Sequence, residues 1–133
     1  MRYNSIEVFF VVIREWEEIQ KTYTEMIERS PQYSALIGVQ DVVSYILCGH
    51  LKQSLYAWTS MFDLCIVQSK VNYPYDGPML RISPLQSGEV EFRYEDSPFR
   101  EKQWQRTVAS TETVNRFQRF LNQLHWEITE QKR

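Results

Sequence analysis

The sequence predicts an α+β fold, in which N-terminal helices precede an antiparallel meander of about four strands and a C-terminal amphipathic helix packs on one sheet face. Two hydrophobic periods indicate this class. Between Met79 and Tyr94, apolar and charged residues alternate, which is the period of a half-buried strand. From Val114 onward, apolar residues recur at the three-to-four spacing of an amphipathic helix. A sheet and a helix that each have one apolar side most simply bury these sides against each other.

The composition is typical of one globular domain. Of the 133 residues, 43% are hydrophobic, 14% aromatic and 24% charged, and a chain of this length ordinarily has one core. We find no repeat, linker or low-complexity tract, so we predict a single α+β domain over residues 1–133. The formal net charge is −2, so the chain lacks the excess of Lys and Arg that a general nucleic-acid binder uses. No apolar run approaches the roughly 20 residues of a membrane span, and we expect a cytoplasmic protein that contacts no membrane.

The first predicted element is a long amphipathic helix. Asn4 and Glu7 have the spacing of a capping-box variant at a helix start. An apolar stripe with helical spacing then continues to Ile27. The β-branched residues between Val8 and Ile13 would also suit a strand, but the continuous spacing favours a helix. Pro31 ends this helix or opens a new turn.

A second, short and mostly apolar helix is predicted over Val39 to Leu47, which should be well buried. Gly38 is expected to separate a turn-like piece from this helix. Gly49 is expected to end it in the left-handed conformation that helix C-termini favour.

The strand region follows. The segment from Leu55 to Gln68 is interpreted as two strands or as one bent strand. Two prolines and Asp76-Gly77 predict a loop over residues 72–78. Ser87-Gly88 predicts a hairpin turn, and a further strand is expected from Gln103 to Val108.

The last helix is predicted to start at a cap formed by Ser110 or Thr111. Trp126 is expected to cover the end of the core. The predicted buried stripe consists of Val114, Phe117, Leu121, Leu124 and Ile128.

The cysteine and histidine pattern indicates neither a metal site nor a nucleophile. Cys48 and His50 are two positions apart in the sequence, and Cys65, Asp63 or His125 might join them in space. However, the chain has no Cys-x-x-Cys or His-x-x-x-His spacing. Reduced, buried thiols are the simpler interpretation for both cysteines. We therefore expect no metal, no cofactor and no enzymatic activity.

Carboxylates and glycines also do not form a recognisable catalytic motif. Glu89 and Glu91 lie on the same strand face and could flank a sugar as acid and base. Pairing with Arg81 and Arg93 across strands, in a solvated charge lattice, explains them more simply. Each of the four glycines stands alone at a predicted turn, which excludes a glycine-rich phosphate loop.

Two surfaces remain as candidates for contact with a protein partner. The first is the acidic side of the N-terminal helix, with Glu18, Glu25 and Glu28, which could attract a basic partner. The second is the proline-stiffened loop with Tyr73 and Tyr75, since tyrosines in a stiff loop lose little entropy on binding. The charged face of the sheet is a third available surface.

The pattern Leu80-Arg81-Ile82, followed by Glu89 to Tyr94 and then Phe117-x-x-Phe120-Leu121-x-x-Leu124-x-Trp126, resembles the small cytoplasmic immunity proteins with which bacteria neutralise cognate toxins. This resemblance concerns the overall pattern of the whole chain and includes no diagnostic motif. It implies a protein partner, such as a cognate toxin domain, and assigns no catalytic or binding residues. The alternatives are an interaction or structural domain of another kind, and an enzyme or carrier of a small ligand. A deep pocket with convergent polar groups would indicate the last alternative.

Overall fold

The computed structural model describes residues 13–69, 77–96 and 100–126. Two helices come first, α1 (Trp16–Arg29) and α2 (Ala35–Cys48). Five strands follow: β1 (Tyr56–Ser60), β2 (Asp63–Val67), β3 (Met79–Pro84), β4 (Glu89–Glu95) and β5 (Trp104–Ala109). The helix α3 (Thr113–Leu124) comes last. This order confirms the predicted α+β class, with five strands in place of about four.

The five strands form one antiparallel sheet in the order β1-β2-β3-β4-β5, so every strand pairs with its neighbour in sequence. The extra strand arises because the Leu55 to Gln68 segment divides at Met61 and Phe62. Met61 has a φ of 57°, the left-handed conformation that allows a tight turn at this point. The predicted turn at Ser87-Gly88 is confirmed, with Gly88 at a φ of 96°.

The inner face of the sheet is apolar and the helices pack against it. Leu64, Ile82 and Phe92 are opposite one another in register and are fully buried. Helix α2 lies over β3 and β4, α1 contacts α2 and β1, and α3 contacts α2 and β5. The predicted packing of the C-terminal helix on the sheet is confirmed at β5, and the mostly apolar α2 covers the central strands β3 and β4.

Helix α1 begins at Trp16, much later than predicted. Arg14 is extended and forms an isolated antiparallel bridge with Ala57, to which its backbone N–H donates over 2.9 Å. Its guanidinium also donates to Thr59 Oγ1 at 2.9 Å and Thr22 Oγ1 at 2.8 Å. The predicted cap at Asn4 and Glu7 lies outside the described residues. Pairing with β1 replaces the helical conformation at Arg14, as the β-branched segment before it had allowed.

Both glycine assignments around α2 are corrected. Gly38 lies inside α2, where a side chain would meet the backbone of Ser110. Gly49 follows the helix, but its φ of −124° and ψ of −163° are extended and not left-handed. The backbone N–H of Gly49 still donates to the carbonyl oxygen of Ile46 and closes the last turn.

Helix α3 also starts later than predicted. A short 3₁₀ turn spans Ser110–Glu112, and the helix N-cap is Glu112, without a side-chain capping bond. Neither Ser110 nor Thr111 caps α3. The fully buried side chains of α3 include Phe117, Phe120 and Leu121, whereas Val114 and Leu124 are partly buried.

An aromatic cluster at the end of α3 includes a contact that the predicted stripe had left out. Phe120 packs edge-on against Trp104, with ring centroids 4.9 Å apart, and against Trp126 at 5.6 Å. Trp126 is only 4% exposed, which confirms that it covers the end of the core. The cluster joins β5 firmly to α3.

Candidate functional site

The exposed side of α1 carries the predicted acidic residues. Glu18, Glu25 and Glu28 are all exposed, and at 100° per residue they span about 80° of the helix circumference. Lys21 and Arg29 project from the same side. We call this group, together with Glu17, the acidic face of α1.

The charge of this acidic face is moderate. Its members are Glu17, Glu18, Glu25 and Glu28 against Lys21 and Arg29, which leaves a net charge of −2. Glu17 also forms an exposed ion pair with Lys52, with 3.7 Å between Oε2 and Nζ. The opposite side of α1 is committed to the core through Trp16, Ile19 and Tyr23. Substitutions on the acidic face therefore create no cavity.

The tyrosine loop lies outside the described residues, so the structure does not place Tyr73 or Tyr75. Trp58, on β1, is half-buried. The register places Trp58 opposite Cys65 and Cys65 opposite Arg81. These three residues therefore share the outer face of the sheet.

Charged side chains on this outer face form ion pairs, of which the pair between Arg93 and Glu91 was predicted, although it lies within one strand and not across strands. Arg81 Nε lies 2.7 Å from Asp63 Oδ2, and β-sheet register places Arg81 opposite Arg93. Arg93 contacts two acids of its own strand, Glu91 at 3.3 Å and Glu95 at 3.5 Å. The charge lattice is present. Pairing of Arg81 with Glu89 or Glu91 was wrong, because Asp63 on β2 is closer.

The two cysteines have opposite environments. Cys65 is fully buried, and this burial raises the pKa of its thiol to about 12. The thiol is therefore protonated at neutral pH and is a poor nucleophile. Cys48 is exposed, so the prediction that it is buried was wrong. It lies at the last position of α2, beyond the buried part of that helix.

A cluster of basic residues lies at the β5 end of the sheet, and the sequence analysis did not detect it. Trp104 and Arg106 are on the same side of β5, and the Arg106 guanidinium carbon lies 5.4 Å from the indole centroid. The guanidinium carbon of Arg116, from α3, lies 5.8 Å from the same ring. Both distances are within the range of cation–π attraction. Trp104 thus holds two arginines from different elements close together.

Beside this cluster a groove of about 330 Å³ opens between β5 and α3. We call it the arginine groove, and its lining residues are Val108, Ala109, Glu112, Asn115, Arg116 and Arg119. Glu112 accepts a hydrogen bond from Asn115 Nδ2 at 3.1 Å, and Arg116 Nη2 donates to Gln123 Oε1 at 2.9 Å. Among the described residues that line the groove, Arg116 and Arg119 are positive and Glu112 is negative, and the charge of Arg106 also acts on Arg116.

The electrostatic environment of Arg116 is unfavourable for a cation. Burial, followed by the positive charges of Arg106 and Arg119, lowers the pKa of Arg116 from its usual value. Its Nε is shielded from solvent and has no hydrogen-bond partner in the described part of the chain. An anionic group in the groove would offset the repulsion of Arg116 by Arg106 and Arg119.

Sequence reasoning missed this cluster because its residues are far apart in the chain and carry no motif. The signal that could have indicated it is modest. Arg116 and Arg119 are three residues apart, and therefore on one side of α3, just beyond the apolar stripe. The packing of Trp104 against Phe120 helps to bring that side of α3 next to β5.

Comparisons with known proteins assign this chain to no class. No family model, no curated protein and no solved structure matches it. Within the described ranges, no helix is both long and apolar enough to cross a membrane. In those same ranges, no three His, Cys, Asp or Glu side chains come together as a candidate metal site.

Proposed function

We propose that this chain is a non-enzymatic protein-binding domain that neutralises a cognate toxin by direct contact, in the manner of the immunity proteins it resembles. The observation that carries the proposal is the acidic face of α1. It combines exposed carboxylates with a helix whose other side is anchored in the core. The partner that fits this face is a basic protein domain.

Charge on such a face acts mainly through the association rate. Oppositely charged surfaces steer two proteins together before contact, and this effect decreases as salt screens the charges. Many toxins that act on nucleic acids would present a basic surface, since phosphate binding requires Lys and Arg. An acidic helix face is complementary to such a surface.

The environment of Cys65 argues against a nucleophilic role for that cysteine. A thiol nucleophile needs a lowered pKa, and burial instead raises the pKa of Cys65. The outer-face carboxylates Asp63, Glu91 and Glu95 are each engaged with an arginine. These carboxylates therefore have a structural role, because their ion pairs stabilise the sheet surface.

The test uses the product of the gene adjacent to the one that encodes this chain. The variant Glu18→Lys/Glu25→Lys/Glu28→Lys should fold normally, because all three residues are exposed. We expect it to associate with a basic partner about tenfold more slowly than wild type at low salt, and the difference should shrink at high salt. Stopped-flow fluorescence at several ionic strengths measures this rate.

A matched variant tests the direction of the effect. Lys21→Glu makes the same face more acidic and should accelerate association under the same conditions. In co-expression, the wild-type chain should protect cells from the toxin and the triple variant should protect them less. Equal rates for all variants at low salt would exclude the acidic face. The tyrosine loop, probed by Tyr73→Ala and Tyr75→Ala, and the outer sheet face would then remain.

A further inference from the structure

The two edges of the sheet differ in how they are covered. Along β1, the backbone of Arg14 pairs with Ala57 and its side chain extends to Thr59. In the described part of the chain, β5 pairs with β4 and with no other strand. In an antiparallel ladder every second residue directs its backbone N–H and C=O away from its partner strand. The far side of β5 therefore offers a row of backbone donors and acceptors.

The side chains along this edge are polar and exposed. Gln105, Arg106 and Thr107 are all exposed at the centre of β5. Positive charge at an edge strand commonly prevents uncontrolled pairing with other chains. Here, however, the positive charge continues from the edge into the arginine groove, where Glu112 is the one acidic residue among the described lining residues, beside Arg116 and Arg119. The edge and the groove thus form one continuous positive surface.

We propose that the β5 edge and the arginine groove bind an extended, acidic segment of a protein partner by strand addition. The segment would pair its backbone with β5. It would place one or two carboxylates against Arg106, Arg116 and Arg119. Main-chain hydrogen bonds supply affinity in this mode of recognition, and alternate side chains supply specificity.

Geometry favours a carboxylate as the group that enters the groove. A guanidinium has a planar set of N–H donors that matches the two oxygens of a carboxylate. Arg116 and Arg119 both line the groove and bring such guanidinium groups to it. The groove volume of about 330 Å³ accommodates a side chain or two and is too small for a folded element.

A second copy of this chain is a poor occupant of the same edge. Symmetric pairing of two β5 strands would bring Arg106, Arg116 and Arg119 of both copies together, and like charges at an interface are costly. An acidic segment has the complementary charge. This inference is independent of the proposed function, because it concerns a different face and a partner segment of opposite charge.

The experiment uses the full chain and synthetic peptides. The probe is an acetylated peptide of about eight alternating Glu and Val residues, which has the length and period to pair with a strand such as β5. The control is the same peptide with Gln in place of Glu. We expect the acidic peptide to bind measurably more tightly in calorimetry, and we expect its affinity to decrease with added salt.

Backbone pairing has its own signature. At about 90% occupancy of the site, amide hydrogen exchange of alternate residues in β5 should slow about tenfold. The amides of β1 should not change. Binding without this protection would show that the peptide contacts the arginines without adding a strand, and the proposal would be wrong.

Charge-matched variants test the groove. The variant Arg116→Gln/Arg119→Gln should weaken binding of the acidic peptide by about three- to tenfold, since each exposed pair contributes modestly. The control variant Lys21→Gln/Arg29→Gln removes the same charge from α1 and should leave the affinity unchanged. An equal loss in both variants would show that overall charge, and not the groove, attracts the peptide.

Two further outcomes would overturn the proposal, because they would show that nucleic acid or a second copy of this chain binds this surface. An oligothymidine that binds more tightly than the acidic peptide, with loss of binding in the Arg116→Gln/Arg119→Gln variant, would assign the surface to nucleic acid. A dimer in sedimentation that Thr107→Pro converts to a folded monomer would assign the edge to a second copy. A folded monomer that binds the acidic peptide in preference to both controls would support the proposal.

Discussion

Gly38 of α2 and Ser110, which precedes α3, are in backbone contact. A Cβ atom at residue 38 would lie 2.8 Å from the carbonyl oxygen of Ser110. The contact continues through Thr113, whose Oγ1 donates to the Gly38 carbonyl oxygen over 2.7 Å. The start of α3 is therefore positioned directly on the backbone of α2.

This contact predicts that Gly38→Ala destabilises the fold. Alanine would add about 1 kcal/mol of helix propensity, but the clash with backbone atoms should cost about 1–3 kcal/mol, so we expect a net loss of up to about 2 kcal/mol. Urea denaturation followed by circular dichroism measures the net change. Gly49→Ala is the control, because nothing lies within 4 Å of a Cβ there, and it should be nearly neutral. A stabilised Gly38→Ala protein would contradict the contact.

Substitution of Leu121 tests how deeply α3 is buried in the core. Its side chain has no solvent exposure, so Leu121→Ala should lower the free energy of unfolding by about 2–5 kcal/mol. The adjacent exposed residue, in Asn122→Ala, should change it by less than about 0.5 kcal/mol. Chemical denaturation of both variants provides the comparison. Similar, small effects in both would mean that α3 does not pack on the core.

The two thiols should differ strongly in reactivity. In the native protein, exposed Cys48 should react rapidly with a thiol reagent, and buried Cys65 should react only through opening of the fold. Mass spectrometry after timed alkylation at neutral pH identifies the modified residue. In denaturant both residues should react at similar rates. Rapid native modification of Cys65 would show that it is not shielded.

Stability should decrease at alkaline pH. Burial raises the pKa of Cys65 from 9.0 to about 12, and burial likewise raises that of Tyr23. The unfolded chain releases these protons at lower pH than the folded protein does. Stability from Cys65 is therefore complete below about pH 9 and is lost as the pH rises to about 12, at roughly 1.4 kcal/mol per pH unit.

Two alanine variants isolate this thiol contribution. Cys65→Ala should show a shallower loss of stability between pH 9 and 12 than wild type does, because Tyr23 still titrates. Cys48→Ala should keep the wild-type slope, since its thiol is exposed. Denaturation curves at several pH values give these slopes. Equal slopes for wild type and Cys65→Ala would exclude Cys65 as the cause.

Local periodicity was sufficient to predict much of the fold. The alternation through β3 and β4 is read directly from neighbouring residues, and the register places Ile82 opposite Phe92 as that alternation requires. The Ser87-Gly88 turn and the helical stripe around Phe117 and Leu121 are local signals of the same kind. Such elements are predictable because the solvent-facing and core-facing residues alternate within a few positions.

Element boundaries were less predictable where distant partners determine them. The helical spacing before Trp16 is real, but Arg14 forms its backbone hydrogen bond with Ala57, which the sequence does not place beside it. Similarly, Gly38 was interpreted as a separator, whereas it permits Ser110 to approach α2. In both cases a tertiary contact overrode a local preference.

The candidate sites divide in the same way. The sequence by itself determined that Glu18, Glu25 and Glu28 share one exposed side of α1, because helix periodicity alone places them there. Only the tertiary structure decided that Arg106 on β5 lies near Arg116 and Arg119 on α3. The physical reason is that packing of Trp104 against Phe120 brings two separate elements together, and no local pattern encodes that distance.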